Sequence, residues 1–248
     1  MDSLSPLQIA YCGVVLLASY SLRGSTGFGQ AVGLPLLALV LPVKVLAPAW
    51  NLLGIISSIV ILGPDRRHVA RREFALFLPW CLAGVGIGLY FFKTLVPKVL
   101  SQTLGAVVLV YATYLFLLSV RPLMADAAPA WLVRPLASVL SGAVGTMFGT
   151  MATIFFAMYL NAGGMSKSAF RATISAMLLT LCIVREIGYA AVGEVTFESW
   201  ILFAAMCPAT LLGIYLGNRL HSRLSDLAFK RLVIATLVLS GIPLILKS

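Results

Sequence analysis

The stretch Arg23-Gly24-Ser25-Thr26-Gly27-Phe28-Gly29-Gln30 carries the residue types and spacing best suited to chemistry in this 248-residue chain. Its three glycines take backbone conformations closed to other residues and let a ligand approach closely. A helix starting after them presents bare N–H groups and the positive end of its dipole, which favour an anion. Arg23 adds a full positive charge and a flat fork of donors suited to sulfonate, carboxylate or phosphate. The competing reading is tight helix packing through small residues, with Arg23 snorkelling to an interface. The candidate anion contacts here are Arg23, Gly24, Ser25, Thr26, Gly27, Gly29 and Gln30.

The second half offers Thr146, Gly149, Thr150 and Thr153, small residues and hydroxyls without charge. They serve either substrate contact or helix packing, each Thr bonding its own backbone. Arg171, in Ala169-Phe170-Arg171-Ala172-Thr173, opens a long apolar run and either anchors at the surface or points inward to an anion. Asn51 lies inside an apolar span, where a lone amide is interhelical glue or a pore contact. Arg185 and Glu186 are neighbours near the end of another span and are expected at the headgroups, since adjacent helical residues do not face each other. Glu186 is the one carboxylate placed to carry a proton within the membrane. His68 and His221 fall in basic loops. No zinc motif and no nucleophile elbow occurs, so no catalytic residue, metal site or cofactor is expected. The cysteines Cys12, Cys81, Cys182 and Cys207 are single, lie in apolar runs and read as small buried hydrophobes.

What positions these residues follows from composition. The chain is 60% hydrophobic and 10% charged, with a mean hydropathy of +1.02. Soluble domains carry about 25% charged residues, so this chain lacks the polar surface to cover a globule in water. That excludes a soluble enzyme and a nucleic-acid-binding domain despite the net charge of +10, because excess Lys and Arg in a membrane protein records topology. The N-terminus lacks a basic n-region, and the first apolar segment is expected to be permanent.

Ten hydrophobic segments fall at approximately 6–22, 29–42, 44–63, 73–93, 98–119, 132–147, 149–163, 168–190, 198–218 and 228–246. Crossing the hydrocarbon takes about 20 residues. The first and second segments, and the sixth and seventh, are shorter and meet at glycines, which predicts broken-helix hairpins lining protein or a wet cavity. Two short tilted spans are the alternative, with the same parity. Arg66, Arg67, His68, Arg71 and Arg72 mark a cytoplasmic loop. Counting crossings from it puts Lys167, Arg171, Arg219, Arg223, Lys230 and Arg231 inside, Glu194 and Glu198 outside, and both termini outside.

Thr26-Gly27-Phe28-Gly29 matches Thr146-Met147-Phe148-Gly149, and Gly88-Leu89-Tyr90 matches Gly213-Ile214-Tyr215, at offsets of 120 and 125 residues. The segments between them occur in the same order. Five segments per half is an odd number, so the second copy enters the membrane the other way up, the construction of many secondary transporters. The expected fold is therefore an all-α polytopic membrane protein, a single transmembrane domain over 1–248. It holds two inverted repeats, 1–120 and 131–248, each opening on a short hairpin.

The stretch from Arg23 to Gly29, the following Gly33-Leu34-Pro35-Leu36-Leu37, the later Gly145-Thr146-Met147-Phe148-Gly149-Thr150 and then Ala169-Phe170-Arg171-Ala172-Thr173 together resemble the sulfite exporter TauE/SafE family of bacterial membrane transporters. The resemblance covers nearly the whole chain. It implies transport of a small anion, with sulfite, sulfonates such as taurine or sulfoacetate, and other organosulfur compounds as substrates. Thr150-Met151-Ala152-Thr153 departs from a region that is often richer in Gly and Pro in that family. The expectation is a secondary transporter moving a small anion, a sulfonate, sulfite or other organic acid, across the bacterial inner membrane by alternating access. The partners are that anion and the lipid bilayer, with no nucleic acid and with homo-oligomerisation left open. An anion channel, or a membrane-embedded non-transporting subunit or enzyme, is the alternative.

Overall fold

The computed structural model describes residues 5–26, 30–120, 130–149, 167–220 and 237–246. The described residues form helices α1 (Pro6–Thr26), α2 (Gln30–Leu37), α3 (Val43–Asp65), α4 (Arg71–Thr94), α5 (Pro97–Val120), α6 (Ala130–Phe148), α7 (Lys167–Ala191), α8 (Phe197–Leu220) and α9 (Leu237–Leu246), with a 3₁₀ turn at Arg66–His68. No strand occurs among them. An apolar chain in lipid must satisfy its backbone polar groups within each segment, and helices do so. The stretches Val43–Pro64, Arg71–Thr94, Ala169–Ala191 and Phe197–Arg219 are long and apolar enough to cross a membrane. Large apolar side chains such as Val110, Phe116, Ile187 and Leu212 point outward, as a bilayer-facing surface requires. The protein is all-helical and polytopic.

The opening pair differs from the expected short hairpin. α1 runs for 21 residues and absorbs Arg23, Gly24, Ser25 and Thr26 into the helix, and only α2, with 8 residues, is short. The sixth segment is likewise longer than expected, at 19 residues. Helix-interior glycine costs about 1 kcal/mol relative to Ala, and close packing offsets it here. A Cβ on Gly24 would sit 2.7 Å from the Ile214 carbonyl oxygen of α8, and one on Gly217 would strike the Ser21 carbonyl of α1. The same device joins α4 to α6, where Gly84 and Gly142 abut, and a Cβ on Gly142 would strike the Cys81 carbonyl. Small faces of this kind let membrane helices meet at their backbones.

Packing pairs α4 with α6 and α1 with α8, while α3 crosses α7. Lesser contacts join α3 to α8 and α4 to α7. The seventh expected segment, with Thr150 and Thr153, lies outside the described residues, as do Gly27 and Gly29. The basic turn Arg66–His68 is exposed. The Ala70 amide donates to Thr173 Oγ1 at 3.0 Å, so this loop and the start of α7 share one end of the bundle. At the other end Lys44 meets Glu194 at 3.4 Å.

Candidate functional site

Arg23 is fully buried. Its Nη2 donates to Ser58 Oγ at 2.6 Å and lies 3.5 Å from the Gly54 carbonyl, both on α3. Among the described residues, its Nε and Nη1 have no hydrogen-bond partner and no carboxylate pairs with it. Gly54 lies midway along α3, so the guanidinium meets that helix at its centre. Tyr20 and Arg23 share a face of α1, as Trp50 and Gly54 share one of α3. The Tyr20 and Trp50 rings stand 5.3 Å apart, and the buried Trp50 Nε1–H is a second donor without a partner among the described residues. The α1–α3 seam is thus rich in donors and short of acceptors. An isolated buried cation is costly, and an anion would relieve that cost.

The next face of α3 has the opposite chemistry. Asn51 is buried, and its Nδ2 donates to the Cys182 carbonyl at 2.7 Å and to Glu186 Oε2 at 2.8 Å, bolting α3 to α7. The Asn51 Oδ1 and Glu186 Oε1 atoms are buried acceptors with no donor among the described residues.

Arg185 overturns the headgroup expectation: it is 1% exposed. It turns away from Glu186 toward α6, where its Nη2 donates to the Ser141 carbonyl at 3.3 Å, and its Nε has no partner among the described residues. Tertiary packing buries it, because α6 and α4 close over that face of α7. The Cys182 thiol lies within electrostatic range of both Arg23 and Arg185. Two buried guanidiniums, neither paired to a carboxylate of the described residues, therefore flank the α3–α7 crossing.

The remaining candidates are dispersed. Ser25 is buried and its Oγ donates to the Leu22 carbonyl at 3.0 Å, while Gly24 faces α8. Thr26 closes α1 and Gln30 opens α2. The Thr146 hydroxyl donates to the Gly142 carbonyl of its own helix at 2.7 Å, and the Thr146 carbonyl accepts from the Tyr189 hydroxyl. Gly149 takes a φ of +69°, and a Cβ there would lie 2.7 Å from the Ala47 carbonyl, so the end of α6 rests on the start of α3. Arg171 sits at the basic end, donating from Nη2 to Asn218 Oδ1 at 3.0 Å. Asn218 also borders Gly24, which brings Arg171 toward the end of α1. Arg185, Ser58 and Trp50 were not among the sequence candidates. The polar pair Ser57-Ser58 inside an apolar run was the available signal.

A buried polar seam, two buried guanidiniums with no carboxylate of the described residues against them, and an apolar exterior define a polytopic membrane protein with charge in its interior. The model of the sulfite exporter TauE/SafE family matches residues 11–244, and the chain belongs to that family of membrane transporters, which are not enzymes. It is 26% identical over 199 residues to the probable inner membrane transporter protein TsaS of Comamonas testosteroni, covering 78% of this chain and 80% of that protein. No solved structure matches the chain.

Proposed function

We propose that the chain is a secondary transporter that moves a small anion, of the sulfite or sulfonate class, across the bacterial inner membrane by alternating access. The observation that carries this reading is the buried Arg23, with two donor nitrogens unpaired and no carboxylate against it among the described residues. Arg23 holds the anion, with Trp50 as a further donor and Arg185 contributing positive potential across the α3–α7 crossing. Gly24, Ser25, Thr26, Gly27, Gly29 and Gln30 shape the first-half side of the site. Thr146, Gly149, Thr150, Thr153 and Arg171 shape the second-half side, and Asn51 fixes the α3–α7 crossing.

Reciprocal packing supports the two inverted repeats over 1–120 and 131–248. Pairing α1, α3 and α4 with α6, α7 and α8 as equivalents, the α1–α8 contact is the counterpart of α4–α6. The α3–α8 contact is then the counterpart of α4–α7, and α3 meets its own equivalent α7. Such exchange is the mark of a two-fold relation. With the basic loop in the cytoplasm, both termini face outward.

The test is flux in proteoliposomes with sulfite, sulfoacetate and methanesulfonate against acetate and phosphate. A transporter gives saturable uptake and counterflow, and Arg23→Ala abolishes both while expression persists. Unsaturable flux means a channel. Wild-type flux retained in Arg23→Ala removes Arg23 from the site.

A further inference from the structure

The donor-rich seam between α1 and α3 accounts for an anion but leaves the acceptor pair on the α7 side of α3 unused. Asn51 gives its Nδ2 to Glu186 Oε2, which leaves Asn51 Oδ1 and Glu186 Oε1 without donors among the described residues. Two orphan acceptors on two planar groups already joined by one hydrogen bond lack one thing, a single proton. On Oε1 it turns the carboxylate into an acid whose O–H can donate to Oδ1, closing the cyclic pair that an amide and a carboxylic acid form. Both buried acceptors are then satisfied at once.

Charge gives the same answer. Among the described residues, Glu186 is the one carboxylate at a crossing flanked by two buried guanidiniums, Arg23 and Arg185. Protonating it adds a positive charge to this interior as an anion supplies a negative one, so each favours the other by linkage.

We infer that Glu186 is the proton-carrying residue of the transport cycle, clamped by Asn51, and that anion and proton move together. This rests on the proposed anion transport. The ionisable groups beside Glu186 are Cys182 and Tyr189 on its own helix. Arg185 turns to the Ser141 carbonyl of α6, and Arg23 of α1 reaches the Cys182 side of the crossing, while Cys81 of α4 lies by Arg185. From α3 it meets only the neutral Asn51, since Lys44 is bound to Glu194 at the far end. At the basic end of α7 lie Arg66, Arg67 and His68, away from it, and Arg134 of α6 is paired with Glu73.

Glu186→Gln reproduces the protonated shape, since its amide N–H can donate where the acid O–H would. It is therefore expected to fold with a Tm at or above wild type at alkaline pH. Infrared difference spectra of the purified protein across a pH titration should show a buried carboxyl C=O band in wild type that is absent in Glu186→Gln. Methanesulfonate added to proteoliposomes holding a pH dye then reads coupling, because that anion stays ionised and carries no proton itself. Wild type is expected to take in about one proton per anion and Glu186→Gln none. An unchanged band, or an unchanged proton-to-anion ratio in Glu186→Gln, overturns the inference, as does a wild-type cycle that needs sodium and moves no proton. If methanesulfonate does not enter wild-type vesicles, the sulfonate reading fails instead, and the infrared band alone decides Glu186.

Discussion

Replacing Arg23 by Met separates a residue kept for folding from one kept for binding. Met is unbranched and fills most of the same space. The substitution removes the hydrogen bond to Ser58 Oγ at 2.6 Å, and bonds to a charged donor contribute about 1.5–3 kcal/mol. It also removes a fully buried cation with two unpaired nitrogens, whose burial costs several kcal/mol even after relaxation, on the order of the bond it loses. Ser58 is not stranded, because its hydroxyl can donate to the Gly54 carbonyl four residues earlier. The two terms oppose each other, so Arg23→Met is expected to unfold within about 1 kcal/mol of wild type or to be stabler. The ligand response differs sharply. An anion at one hundred times its Kd stabilises the folded form by about 2.7 kcal/mol, roughly 5–11 °C in Tm for a chain of this size. Thermal unfolding of detergent-purified protein, with and without sulfite or methanesulfonate, measures both quantities. The expected pattern is a preserved or raised baseline with no anion shift. A collapsed baseline together with a preserved anion shift refutes the reasoning and makes Arg23 a structural pin.

Gly142→Val drives a branched side chain into the Cys81 carbonyl and is expected to cost about 1–3 kcal/mol, read as a lowered Tm and reduced monodisperse yield. Lys44→Ala breaks a pair whose side chains are 25% and 20% exposed, so a double-mutant cycle with Glu194→Ala should return a coupling no larger than about 1 kcal/mol. Lys44→Cys with Glu194→Cys, joined by a bifunctional thiol reagent, should clamp that end of the bundle and stop counterflow, with reduction of a cleavable linker restoring it; continued flux in the linked protein would argue against alternating access. Tyr189→Phe removes the donor to the Thr146 carbonyl and should lower stability by about 0.5–1.5 kcal/mol, measured by thermal unfolding.

Segment positions were legible because lipid imposes a length and a composition on each span. Nine of the ten expected segments overlap described helices, and the seventh lies outside the described residues. Arg23 stood out in the sequence as an arginine among glycines in an apolar chain, and the structure buries it rather than letting it snorkel. What misled was the same glycines. As a turn signal they end α1 early, yet α1 continues to Thr26 because α8 presses its backbone against Gly24. Local propensity cannot report a partner helix more than a hundred residues away. Arg185 failed for a related reason: its position near the end of a span suggests the headgroups, and only the closure of α6 over α7 buries it. Thr146 read equally well as ligand contact or self-bonded hydroxyl, and its bond to Gly142 uses the proton it would otherwise offer.

α3 is where these observations meet, because consecutive residues on it do opposite work. Trp50 sets its ring against Tyr20 of α1, and Asn51, about 100° further round the helix, turns its amide to Glu186. An anion bound on the first face therefore sits one residue away from the groups that decide whether the second face holds a proton. The glycine-lined pairs α1–α8 and α4–α6 meet backbone to backbone and have little room to slide. The α3–α7 crossing is different, since side-chain hydrogen bonds from a single asparagine bolt it and an unpaired acceptor remains on each partner. If one contact changes during transport, the chemistry favours this one, because a proton arriving at Glu186 alters the hydrogen bonding that joins the two helices.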